Sequence, residues 1–103
     1  MKISELFNVS GKVAIVTGGS RGIGEMIAKG FLANGVKVYI TARKEAPLIE
    51  KAKELSNIYE CECIPVPCDL STMEGMTNFV DFIESNETHI DFLMNNAGAS
   101  WGE

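Results

Sequence analysis

The chain has 103 residues, 46% hydrophobic and 22% charged, with a formal net charge of −5. That length holds one domain or part of one, and the acidic balance gives no basic field for nucleic acid or an anionic membrane. No apolar run approaches the roughly 20 residues of a membrane span, and residues 1–7 lack the apolar core of a signal peptide, so a cytoplasmic protein is expected.

In chain order, residues 12–17 carry the apolar run Val13-Ala14-Ile15-Val16 and read as a first strand. Residues 23–34 read as a helix with Ile23, Ile27, Gly30 and Phe31 on one face, where Gly30 would allow close approach to a sheet, and Gly35 is a good stop. Residues 36–42 read as a second strand. Residues 45–56 read as a helix, with Leu48, Ala52 and Leu55 at helical spacing. Residues 61–66 form a third strand. Ser71-Thr72-Met73-Glu74 has the form of a capping box, and the helix it opens places Met73, Met76, Val80 and Ile83 along one stripe. Residues 90–95 read as a fourth strand.

Strands alternating with helices predict an α/β domain, a parallel sheet with helices on its faces. Right-handed crossovers then give a doubly wound, Rossmann-type sheet with strand order 3-2-1-4. Residues 1–103 are expected to be the cofactor-binding portion of one such domain, incomplete at its C-terminal side. A ligand in such a sheet binds beyond the C-terminal strand ends, where the strand order reverses. That point lies between the first and fourth strands, so the turn at residues 17–24 and the segment Asn95-Asn96-Ala97-Gly98 converge on one crevice.

The turn is the strongest chemical signal. Thr17-Gly18-Gly19-Ser20-Arg21-Gly22-Ile23-Gly24 leads from a strand into a helix. The first amides of a helix lack intrahelical partners, and the helix dipole places partial positive charge there. An anion reaches those amides only where no side chain obstructs it. Gly18 would allow the turn, Gly22 the approach of a diphosphate, and Gly24 the packing of helix on strand. A bare strand–helix turn is the competing reading.

The end of the second strand, Thr41-Ala42-Arg43-Lys44, has no carboxylate for a ribose 2′-hydroxyl. Arg43 offers a planar cation suited to a phosphate, and Arg21 is a second cation that could reach the same place. Both point to NADP rather than NAD; solvated surface cations are the alternative. The three cysteines, Cys61, Cys63 and Cys68, do not match a zinc-knuckle spacing, and the single histidine is His89, so no metal site is expected.

The glycine turn, Asp69-Leu70 and Asn95-Asn96-Ala97-Gly98 together resemble the N-terminal half of a short-chain dehydrogenase/reductase. Within that family the chain is most similar to NADPH-dependent 3-oxoacyl reductases of the rhamnolipid-synthesis branch. The resemblance implies that Asp69 accepts a hydrogen bond from the adenine amino group and that Leu70 offers its N–H to the ring. It implies that Asn95, Ala97 and Gly98 brace the fourth strand and touch the cofactor ribose, and that Ser20 lies in the cofactor loop. Ile23 is expected to be both a core residue and a diphosphate contact through its N–H. Asp69 could equally cap a turn before Ser71, and Asn95 could serve only to tie strands together.

The family reduces carbonyls with a serine and a Tyr-x-x-x-Lys pair on a later helix. Here Tyr39 is followed four residues on by Arg43, and Tyr59 by Cys63, so no residue is assigned as catalytic. The expected function is the NADP(H)-binding part of a reductase that moves hydride between NADPH and a small carbonyl or acyl thioester, inactive by itself and homo-oligomeric when full-length. A non-catalytic NADP(H)-binding or regulatory module, or a truncated remnant, is the alternative.

Overall fold

The computed structural model describes residues 9–96. Within them four strands, β1 (Val13–Thr17), β2 (Lys37–Ala42), β3 (Cys63–Pro67) and β4 (Phe92–Asn95), alternate with three helices, α1 (Gly22–Ala33), α2 (Glu45–Tyr59) and α3 (Met73–Asn86). The sheet is parallel throughout, in the order β3-β2-β1-β4, as the alternation predicts. β1 and β2 are central and read as continuous apolar runs because both faces are covered. β3 stands at one edge, which explains how it tolerates Pro65 and Pro67. Glu62 and Cys68 bond toward β2, so the intervening odd-numbered residues present their missing donors outward.

Successive strand residues serve opposite layers. Ala14, Val16, Val38 and Ile40 pack with Ala28 and Leu32 of α1 and with Leu48, Ala52 and Leu55 of α2. Val13, Ile15, Tyr39 and Val66 pack on the other side around Ile83 of α3. At the start of β4, Asp91 takes the Val13 N–H on its carboxylate (2.8 Å) and returns its own N–H to the Val13 carbonyl (2.9 Å), which fixes register.

Six local expectations are corrected. The buried stripe of α1 is Gly24, Ala28 and Leu32, one residue round from the anticipated face. Small residues face the strands because the helix lies close there; Ile27 and Phe31 take the flank, with Phe31 stacked on Phe92 at 5.1 Å. The close approach falls at Gly24, while a side chain at Gly30 would meet open space. Ile23 is not a core residue: it is 67% exposed, because it stands on the first turn before α1 meets the sheet. In α3 only Ile83 of the expected stripe is buried; Met73, Met76 and Val80 are exposed, since the helix touches the sheet mainly through its C-terminal half. The cap of α3 is Thr72, which accepts from the Gly75 N–H at 3.0 Å. That shifts the anticipated box by one residue, because Ser71 is engaged by Asp69 instead. α2 also runs one turn past residue 56, closing at Glu60 in the left-handed region (φ 50°).

Candidate functional site

The glycine turn leaves the C-terminal end of β1 and enters α1 through two residues in the left-handed region, Gly18 (φ 68°) and Gly22 (φ 62°). The Gly18 N–H donates to the Thr41 carbonyl at 3.0 Å, so the turn is pinned to the end of β2. The first intrahelical bond of α1 runs from the Glu25 N–H to the Arg21 carbonyl. The amides of Gly22, Ile23 and Gly24 therefore precede the ladder, and the extended Arg21 supplies no side-chain cap to them. A Cβ at Gly22 would meet nothing within 4 Å, whereas one at Gly24 would lie 2.8 Å from the Gly18 carbonyl carbon and 3.0 Å from Asn96 Nδ2. Gly22 thus opens the surface of the turn, and Gly24 lets α1 sit on it.

Thr17 joins this turn to β4. Its hydroxyl accepts the Asn96 N–H at 2.7 Å and lies 3.0 Å from Asn95 Oδ1 and 3.4 Å from the Met94 carbonyl. Thr17 is buried, so these bonds are made in a low-dielectric setting and resist exchange with water. The Thr17 hydroxyl therefore helps join the C-terminal ends of β1 and β4. The sequence places Thr17 and Asn96 in the two converging motifs but does not show their contact; the available signal was a polar residue ending an otherwise apolar strand.

The other expected residues lie along the same C-terminal rim. Arg21 and Arg43 are exposed and Ser20 is half-buried. Arg43 follows β2, and Asp69 follows β3 at the neighbouring strand end, where the Cys68 N–H donates to the Ala42 carbonyl at 3.0 Å. Asp69 Oδ1 accepts from the Ser71 hydroxyl (2.5 Å) and the Ser71 N–H (3.0 Å). Those bonds, led by the hydroxyl and helped by the nearby Arg43 charge, hold the Asp69 carboxyl below its ordinary range, so it stays ionised and accepting. The turn-capping role foreseen for Asp69 is present on that one oxygen. Leu70 is half-buried beside it. The Asn95 side chain accepts from the Thr17 hydroxyl. Ala97 and Gly98 lie outside the described residues.

Tyr39 is occupied elsewhere. It is fully buried, and its hydroxyl donates to Glu87 Oε2 at 2.5 Å while Lys37 Nζ pairs with the same oxygen at 2.6 Å. Burial, then the bond to Glu87, pushes its pKa up to about 12. The cysteines behave as apolar side chains. Burial lifts the Cys63 thiol to about 12 and raises Cys61 and Cys68, and Cys61 donates to the Val36 carbonyl at 3.2 Å. Among the described residues no cluster of His, Cys, Asp or Glu could hold a metal ion, and no helix is long and apolar enough to cross a membrane.

Comparison with known proteins follows the same lines. Residues 12–103 match the family described as short chain dehydrogenase. The chain is 43% identical over 96 residues to the rhamnolipids biosynthesis 3-oxoacyl-[acyl-carrier-protein] reductase of Pseudomonas aeruginosa, covering 93% of this chain and 37% of that protein. It is 41% identical over 101 residues to a fatty acyl-CoA reductase of Acinetobacter baylyi, covering 96% and 34%. Among solved structures it superposes on the Pseudomonas aeruginosa RhlG/NADP complex with a TM-score of 0.83 at 41% identity, covering 89% of this chain and 36% of that one. It also superposes on L-sorbose reductase from Gluconobacter frateurii, complexed with NADPH and L-sorbose, with a TM-score of 0.84 at 38% identity, covering 88% and 35%. The chain spans about a third of the length of each of these relatives.

Proposed function

The chain belongs to the short-chain dehydrogenase family, and from that premise we propose that it is the NADP(H)-binding portion of a reductase that moves hydride between NADPH and a carbonyl or alcohol. The observation that carries this reading is the rim itself. One continuous edge holds a helix start with three amides ahead of its ladder, an open surface at Gly22, two exposed arginines and an ionised carboxylate.

These residues fit a dinucleotide phosphate. The amides of Gly22, Ile23 and Gly24 would hold the diphosphate, whose charge suits the positive end of α1. Arg43, aided by Arg21, would take the 2′-phosphate; a guanidinium binds two phosphate oxygens at once. Asp69 and the Leu70 N–H would read the adenine edge. Asn95, which bonds to Thr17, would border the ribose, and the family likeness assigns Ala97 and Gly98 to the same task. The cofactor supplies the hydride; this stretch of chain binds and orients it. Tyr39 is buried with its hydroxyl committed to Glu87, so no catalytic acid is assigned within this stretch. Likeness to a 3-oxoacyl reductase and to a fatty acyl-CoA reductase favours an acyl thioester as the carbonyl substrate.

The test is Arg43→Ala. NADPH affinity should fall roughly 10- to 100-fold, the value of one charged hydrogen bond, with NADH affinity little changed. Equal losses for both cofactors would refute the assignment of Arg43 to the 2′-phosphate.

A further inference from the structure

Gly75, in the first turn of α3, belongs to none of the motifs above, yet it lies against the backbone of Asp69. A Cβ built there would fall 2.7 Å from the Asp69 carbonyl carbon, closer still to the carbonyl oxygen, and 3.0 Å from Thr72 Oγ1. Backbone atoms in a packed turn yield little. Any larger residue at 75 must move α3 away from residue 69 or move residue 69 itself.

Hydrogen bonds tie the same two pieces. The Thr72 N–H and hydroxyl both donate to the Asp69 carbonyl, at 3.2 and 3.1 Å, and the Gly75 N–H donates to the Thr72 hydroxyl at 3.0 Å. Ser71 holds the carboxylate of Asp69 from the other side. The backbone and side chain of Asp69 are thus both oriented by the residues that open α3. β3 ends at Pro67, so Asp69 lies beyond the strand, and these contacts hold it against the start of α3.

We propose that Gly75 and Thr72 are positioning residues that set how Asp69 and Leu70 meet the cofactor's base; this rests on the NADP(H) reading above. Adenine presents an amino donor and an adjacent ring-nitrogen acceptor. An ionised carboxylate beside a backbone N–H complements that pair. Hypoxanthine presents a carbonyl acceptor and a ring N–H donor, which inverts both. Discrimination between the two bases therefore reports the placement of Asp69 and Leu70 and is insensitive to overall stability.

The experiment titrates the full polypeptide with NADPH and with its hypoxanthine analogue. The wild type should prefer adenine by about tenfold or more, the worth of a charged hydrogen bond. Gly75→Ala and Thr72→Val should each bring the ratio within about threefold of unity. Thr72→Ser, which keeps the hydroxyl, should retain the wild-type ratio. A folded Gly75→Ala with an unchanged ratio overturns the inference. Should Gly75→Ala not fold, Thr72→Val retaining full preference overturns it equally. A wild type that binds both dinucleotides alike refutes base reading by Asp69 and Leu70 but leaves NADP(H) binding standing, whereas a wild type that binds neither removes the functional reading itself.

Discussion

Beneath α1 and α2, the strand residues Ala14, Val16, Val38 and Ile40 meet Ala28, Leu32, Leu48, Ala52 and Leu55, all almost wholly buried. Beneath α3, the facing residues Val13, Ile15, Tyr39 and Val66 meet one helix that fully buries only Ile83 and leaves Met73, Met76, Val80 and Phe82 exposed. The cause is width. Four strands at about 4.8 Å spacing present a surface that one helix, about 10 Å across, cannot cover. Leu93, paired with Ile15 and so on the same face, is 64% exposed at the β4 edge. The lesson is that the two layers do different work. The α1–α2 layer fixes the glycine turn through a packed core, and the α3 layer holds Asp69, beyond the end of β3, through polar contacts at its first turn.

The sharpest way to break that comparison is Leu48→Ala. This side chain is fully buried between α2 and the sheet, and truncation should cost about 3 kcal/mol in denaturant unfolding. A cost below about 1 kcal/mol would mean that the layer is not packed as described.

A middle-sized effect is expected from Glu87→Gln, which removes the ion pair with Lys37 and weakens the bond from Tyr39, at about 1–2 kcal/mol near neutral pH. The sign with pH follows from the shifts. The Lys37 ammonium, then the Tyr39 hydroxyl, holds the Glu87 carboxyl below its ordinary 4.5. Its contribution is complete above that value and lost as pH falls through the depressed one. Tyr39 is raised from 10.0 to about 12, so its contribution is complete below 10 and lost as pH climbs toward 12. Wild type and variant should therefore differ most in the neutral range and converge in acid. A gap that widens on acidification would contradict the pairing.

The smallest effects belong on the exposed part of the α3 stripe. Met76→Ala and Val80→Ala should each change stability by less than about 0.5 kcal/mol, because both side chains already face solvent. Larger losses would show that this face is covered.

Most of the architecture was legible in the sequence, because strand–helix alternation constrains topology more tightly than it constrains any boundary. The order 3-2-1-4 and the convergence of the glycine turn with β4 follow from that alternation. What periodicity missed was rotation: on α1 it favoured the bulky Ile23 and Ile27, whereas close packing chose Gly24 and Ala28. The stripe on α3 misled for a related reason, since apolar spacing records a face suited to burial and not what covers it. The contact of Thr17 was hidden because residue 96 is remote in sequence, and that of Gly75 because apolar periodicity does not encode a backbone approach to residue 69.

The central claim is that free amides at the head of α1 grip a diphosphate across the open surface at Gly22. Calorimetric titration of Gly22→Ala with NADPH and with 2′-AMP tests it most directly, because the added methyl both enters that open surface and strains the left-handed backbone (φ 62°) that presents the amides, while 2′-AMP carries no diphosphate. NADPH affinity should drop about tenfold or more while 2′-AMP binding stays as in the wild type. Undiminished NADPH binding, or an equal loss for both ligands, would contradict the account.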